Sequence, residues 1–96
     1  MNHGIFIIKV MENPIEIMYK EDSIIKINVR FAKNYSKPFR NEISLILWGG
    51  FKDDFLNYYK IKDYLIIEGI ITSAGYKNEK EEVNLIAKRV YPFLLD

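Results

Sequence analysis

Five basic side chains, Lys26, Arg30, Lys33, Lys37 and Arg40, fall between residues 23 and 41 with no acidic residue among them. Outside that segment the chain carries nine basic and thirteen acidic residues, a balance of −4, so one stretch is positive on a mildly acidic body. Side chains of this type in this density can neutralise phosphates, each giving a salt-dependent share of affinity. They can equally form a solvated face and loop. The chain as a whole has a net charge of only +1, so bulk charge does not select a polyanionic partner.

Other chemistries lack their parts. With no cysteine, disulfides, thiolate catalysis and cysteine metal sites are excluded. The single histidine, His3, lies near the terminus and has no second imidazole or clustered carboxylates to form a metal site. Asp53-Asp54 reads as charge in the first turn of a helix, favourable to its dipole, rather than as a catalytic pair. Gly49-Gly50 is not followed by the Lys-[Ser/Thr] of a phosphate loop and reads as a strand end. No nucleophile–base or metal constellation can be named, so the chain is not expected to be an enzyme, and no cofactor is expected.

The elements that must position the basic segment alternate with period two. Residues 4–11 form a first strand, apolar on both faces; Asn13-Pro14 breaks or bulges it, and Ile15–Tyr19 continues it. Lys20 to Ser23 is a turn. Residues 24–33 alternate cleanly, with Ile25, Ile27, Val29 and Phe31 on one side and Lys26, Asn28 and Arg30 on the other, which is a half-buried strand with a basic outer face. Residues 34–41 form a polar loop. A third strand runs from about Glu42 to Trp48, with Ile43, Leu45 and Leu47 toward the core and Glu42, Ser44, Ile46 and Trp48 away from it.

Residues 51–59 change to helical spacing, with Phe51, Phe55, Tyr58 and Tyr59 on one side. A fourth strand covers Tyr64–Thr72, and Gly69 inside it marks a bend or bulge of the kind found at a barrel corner. Ala74–Glu81 holds a hairpin tip, and a fifth strand covers Glu82–Phe93. Ninety-six residues in this order make one domain, 1–96. The expected fold is all-β: a five-stranded OB-fold barrel with one short helix between strands 3 and 4. An SH3-like barrel is the structural rival and usually lacks that helix. The opening apolar run is too short to cross a membrane and has no signal-peptide layout, so a soluble protein is expected.

The pieces, in order, resemble the bacterial-type single-stranded-DNA-binding (SSB) proteins, and in particular their short plastid and cyanobacterial branch. Asn13-Pro14-Ile15-Glu16-Ile17-Met18-Tyr19 is similar to the family's Asp-Pro-Glu-x-x-Tyr. Leu45-Ile46-Leu47-Trp48-Gly49 is similar to its aromatic-Gly strand end. Asp63-Tyr64-Leu65-Ile66-Ile67-Glu68-Gly69 resembles its strand-four Val-x-x-Glu-Gly. The resemblance covers nearly the whole chain. It implies sequence-tolerant, non-catalytic binding of single-stranded DNA, with a basic groove tracking the backbone and aromatic side chains stacking on bases. It places Trp48 on a stacking aromatic of strand three, Tyr76 on the aromatic near the last hairpin and Tyr35 near the aromatic of the loop after strand two. Lys26, Arg30, Lys33, Lys37 and Arg40 become the phosphate contacts. In a bland reading, Trp48 packs on the barrel or a subunit interface, and Tyr76 is an ordinary strand aromatic.

The chain also departs from the family. Glu42 stands where the family has another strand-three tryptophan, and Thr72, Ala74 and Gly75 replace basic residues before the hairpin aromatic. The family's linker and acidic tip have no counterpart around Leu94-Leu95-Asp96, so recruitment of partners through such a tail is not expected. Apolar residues on both faces of residues 5–10 call for a second covering surface, and the resemblance implies a homo-oligomer, dimer or tetramer. Sixteen isoleucines, eleven lysines and eight asparagines against three alanines reflect AT-rich codons. Together with the resemblance, that usage implies a plastid stromal protein of DNA replication or maintenance. The competing expectation is an SSB-like fold that no longer binds DNA and serves as an accessory subunit of a larger plastid assembly, such as a photosynthetic complex.

Overall fold

The computed structural model describes residues 2–32, 42–74 and 82–93. Six strands and one helix follow each other: β1 (Asn2–Val10), β2 (Ile15–Tyr19), β3 (Asp22–Phe31), β4 (Glu42–Trp48), α1 (Gly49–Tyr58), β5 (Tyr64–Ala74) and β6 (Glu82–Pro92). The sheet order is β1-β5-β6-β4-β3-β2, and a further β1–β3 pairing closes five of the strands into a barrel. The expected OB barrel is present, with its helix between the strands here labelled β4 and β5.

The expected first strand is two elements rather than one bulged strand. β1 pairs with β5 through Asn2–Lys9 and with β3 only through Ile8–Val10. Among the described residues β2 pairs with β3 alone, at the edge of the sheet and outside the closed barrel. Pro14 supplies no backbone N–H, so the ladder breaks where the sequence anticipates it. The turn into β3 is tighter than expected: Tyr19 pairs with Asp22, and Lys20 takes a left-handed φ of 59° to reverse the chain.

Alternation fills the barrel. Ile25, Ile27 and Val29 of β3, Ile43, Leu45 and Leu47 of β4, Leu65 and Ile67 of β5, and Leu85 and Ala87 of β6 point inward with Ile8 and Val10 of β1. Among the described residues no polar or charged residue is buried. Phe31, expected in the core, is only partly buried and packs a tilted ring against Phe6 at 5.8 Å between centroids.

Gly69 is required by a close approach. The β5–β6 register shifts between Glu68 and Gly69, and a Cβ at Gly69 would overlap the carbonyl oxygen of Ile86 and lie 3.1 Å from its carbonyl carbon. The bend expected from a glycine inside a strand is therefore a bulge in which one backbone sits against another.

Helix α1 closes one end of the barrel, but not with the whole side expected of it. Phe55 is buried and Tyr59, just beyond the helix, is partly buried against it at 5.8 Å between ring centroids. Phe51 is 37% and Tyr58 75% exposed. Tyr58 lies about 60° from Phe55 around the helix, on the side away from Tyr59. The barrel-facing direction is set instead by Phe55, Tyr59 and Lys52, whose Nζ lies 3.7 Å from Glu16 Oε2. Burial, then the charges of Asp54 and Asp63, raises the Tyr59 phenol above its ordinary value. Because the helix begins at Gly49, whose φ is +63°, Asp53 and Asp54 fall past its first turn, which holds no acid. The dipole role expected of them is thereby lost, since that effect fades beyond the first turn. Gly49-Gly50 opens the helix directly after Trp48 rather than separating it from the strand.

Candidate nucleic-acid interface

The outer face of β3 and β4 carries the candidate residues, and the register sets their neighbours. Cross-strand partners in a ladder share a face, so each row of the sheet can be followed from strand to strand. One row runs Ile17–Ile24–Trp48 across β2, β3 and β4. The next runs Ile15–Lys26–Ile46–Ile86–Ile70 across β2, β3, β4, β6 and β5. A third runs Asn28–Ser44–Asn84–Thr72, and a fourth pairs Arg30 with Glu42.

Trp48 ends β4 and is 46% exposed, standing beside Ile24 and, one strand further, Ile17, itself 37% exposed. A half-exposed indole in a row with two isoleucines is a side chain on which a flat π-system can stack. Lys26 is the direct partner of Ile46 and the diagonal neighbour of Trp48, at roughly 7–8 Å between positions. A cationic tip therefore stands one step from the aromatic platform on the same face. That is the spacing a base with its adjoining phosphate requires in kind: a ring to stack and an anion to neutralise.

The far end of the face is different. Arg30 Nη2 lies 3.4 Å from Glu42 Oε2, with both side chains 48% exposed. Asn28 Nδ2 donates to Glu42 Oε1 at 3.0 Å and to Glu12 Oε1 at 2.9 Å. The hydrogen bond from Asn28, then the hydrogen bond and charge of Arg30, holds the Glu42 carboxyl below its ordinary range against a small opposing effect of burial. Of the expected phosphate contacts, Arg30 is thus engaged by a carboxylate, and Lys26 stands between Ile15 and Ile46 in its row of the sheet. Lys33, Tyr35, Lys37, Arg40 and Tyr76 lie outside the described residues.

Sequence reasoning missed Glu12, and it placed Asn28 and Glu42 on the outer face without their contacts. Glu12 and Asn28 are far apart in the chain, and only the barrel brings them together. The apolar rows flanking Trp48 need the β2–β3–β4 register, which no single strand's alternation contains. A pairing of the alternating residues of β3 against those of β4 would have put Glu42 opposite Arg30, had the loop length allowed the register to be guessed.

The closed barrel and the helix between β4 and β5 define an OB fold. The relatives agree. No protein-family model matches the chain. A Trieres chinensis protein named "Putative single-stranded DNA-binding protein ycf41" is 34% identical over 104 residues, covering 100% of this chain and 92% of its own length. The chain belongs to the SSB-like family of which that protein is a member. Among solved structures, the second SSB (SSBb) of Mycobacterium smegmatis superimposes with a TM-score of 0.77 at 15% identity over 97% of this chain and 87% of its own. The SSB domain of a Synechococcus sp. protein gives 0.70 at 17% identity over 95% and 94%. The small single-stranded-DNA-binding protein of Streptomyces coelicolor gives 0.70 at 9% identity over 98% and 96%. At these identities the likeness to solved structures is one of fold.

Proposed function

We propose that the chain binds single-stranded nucleic acid, DNA in preference, without catalysis and without reading sequence, on the outer face of β3 and β4. The observation that carries this reading is the half-exposed Trp48 one diagonal step from Lys26 on the same outer face. The 34% identical relative named for single-stranded DNA binding supports it. Trp48 stacks on a base and Lys26 neutralises a phosphate. Lys33, Lys37 and Arg40 extend the track along the segment joining β3 to β4, with Tyr35 and Tyr76 as further stacking aromatics. Arg30 joins only if its pair with Glu42 opens.

Family membership and codon usage favour a role in plastid DNA replication or maintenance. A homo-oligomer is favoured by the second apolar face, on β1, β5 and β6, where Ile5 is 71% and Tyr91 46% exposed. It is favoured too by β1 itself, whose Asn2–Phe6 stretch has a strand partner on one edge only among the described residues.

Trp48 is the sole tryptophan, so it reports its own contact. Titration with oligo-dT is expected to quench its fluorescence, with an affinity that falls as salt rises with a slope of about 0.7 per phosphate neutralised. Unquenched fluorescence together with no binding at low salt would sink the reading and leave the accessory-subunit role.

A further inference from the structure

The carboxylates at the Arg30 end of the face have a consequence for where a bound strand can run. Three elements converge there. Glu12 comes from the connection between β1 and β2, Asn28 and Arg30 from β3, and Glu42 from the first residue of β4. Asn28 Nδ2 contacts Glu12 Oε1 at 2.9 Å and Glu42 Oε1 at 3.0 Å, so the two N–H groups of one amide are spent on two carboxylates. Arg30 faces Glu42 Oε2 at 3.4 Å and is its direct cross-strand partner.

The quartet carries two formal negative charges and one positive charge. A phosphate seeking Arg30 must displace Glu42 and approach Glu12. The Arg30–Glu42 pair is long and half-exposed, which is the weak class of ion pair, so a competing anion can contest it. Asn28 keeps both carboxylates in place when it does.

We propose that Glu42, seconded by Glu12 and held by Asn28, is a carboxylate gate that competes with nucleic-acid phosphates for Arg30 and keeps it out of the binding track. The bound strand passes Trp48 and Lys26 and bypasses Arg30 while its pair with Glu42 holds. Glu42 is thus a specificity-determining residue that limits the number of phosphates held and the salt dependence of the site. The inference rests on the nucleic-acid-binding reading above.

The test is a double-mutant cycle. Wild type, E42Q, R30Q and E42Q/R30Q are titrated with a labelled oligo-dT over a salt series, following anisotropy. Glutamine keeps the acceptor for Asn28, so the fold is preserved. E42Q is expected to bind on the order of fivefold more tightly at low salt. Its salt slope should steepen by about 0.7, the value for one more phosphate on a single strand. R30Q should stay within about twofold of wild type, and the double variant should match R30Q.

The gate is overturned if E42Q binds no more tightly than wild type. It is also overturned if the gain survives in E42Q/R30Q, because the effect is then one of general charge, or if R30Q alone weakens binding as much as K26Q. Failure of all four proteins to bind at low salt overturns the nucleic-acid reading itself. Binding by E42Q but not by wild type supports the gate while overturning binding by the native chain.

Discussion

Trp48 and Lys26 differ in what each can contribute, and substitution separates them. An aromatic that stacks on a base gives affinity that is largely indifferent to salt, whereas a lysine on a phosphate gives affinity that salt removes. Trp48→Ala is therefore expected to cost about 1–3 kcal/mol of binding to a labelled oligo-dT while leaving the salt slope unchanged. Lys26→Gln should lower that slope by about 0.7 with a smaller loss at high salt. Equal slopes for both variants and wild type would remove Lys26 from the interface. Neither residue is in the core, Trp48 being 46% exposed, so the thermal midpoint should move little in either variant. Glu42 acts at the same scale in the opposite sense. With its carboxyl held below the ordinary range by Asn28 and Arg30, it stays ionised through the neutral range. The Arg30 pair is present above that lowered value and is lost only as pH falls through it.

At the scale of elements, the face depends on β5 and β6 keeping their irregular register. The shift between Glu68 and Gly69 changes the partner of every following residue of β5, and so decides that Ile70 rather than Ile71 lies opposite Ile86 at the end of the Lys26–Ile46–Ile86 row. Gly69→Ala would place a methyl group on the Ile86 carbonyl. The backbone must then move apart, and a destabilisation of about 2 kcal/mol, in the range of overpacked cores, is expected by urea unfolding. An unchanged midpoint would mean that the strands can separate at the bulge without loss. Helix α1 has the complementary role of a plug. Its one buried side chain, Phe55, joins the barrel core, and the strand that ends in Trp48 runs directly into the helix.

At the scale of the whole molecule, two faces of the sheet carry exposed apolar side chains. One is the Trp48 face. The other lies across β1, β5 and β6, where Ile7 pairs with Ile66 and Ile66 with Tyr91. Beside them, Arg89 Nη1 lies 2.9 Å and His3 Nε2 3.6 Å from Glu68, with Ile5 opposite Glu68 in the ladder. The proposed homo-oligomer would cover Ile5, which is 71% exposed on that face. Ile5→Lys places an ammonium next to Glu68 and removes apolar surface without touching the core. Sedimentation of the wild-type chain as an oligomer and of Ile5→Lys as a folded monomer is the expected outcome. A monomeric wild type would assign the face to another occupant.

Much of the fold was legible in the chain because burial in a barrel imposes period two. Ile25, Ile27, Val29, Ile43, Leu45 and Leu47 declared their inward side, and Gly69 declared the bulge. The helix was legible in position but not in orientation, since which of four aromatics faces the barrel depends on where the chain leaves β4. The split of the first strand into β1 and the edge strand β2 was visible only as a break at Pro14. The types of side chain on the face, Trp48 and Lys26 among them, were also set by the sequence and by the outward alternation of β3 and β4. Which of those side chains meet was decided by tertiary structure alone. Alternation is a local property of one strand, but the pairing of Arg30 with Glu42, and of Asn28 with Glu12 and Glu42, arises from register and closure across separate strands.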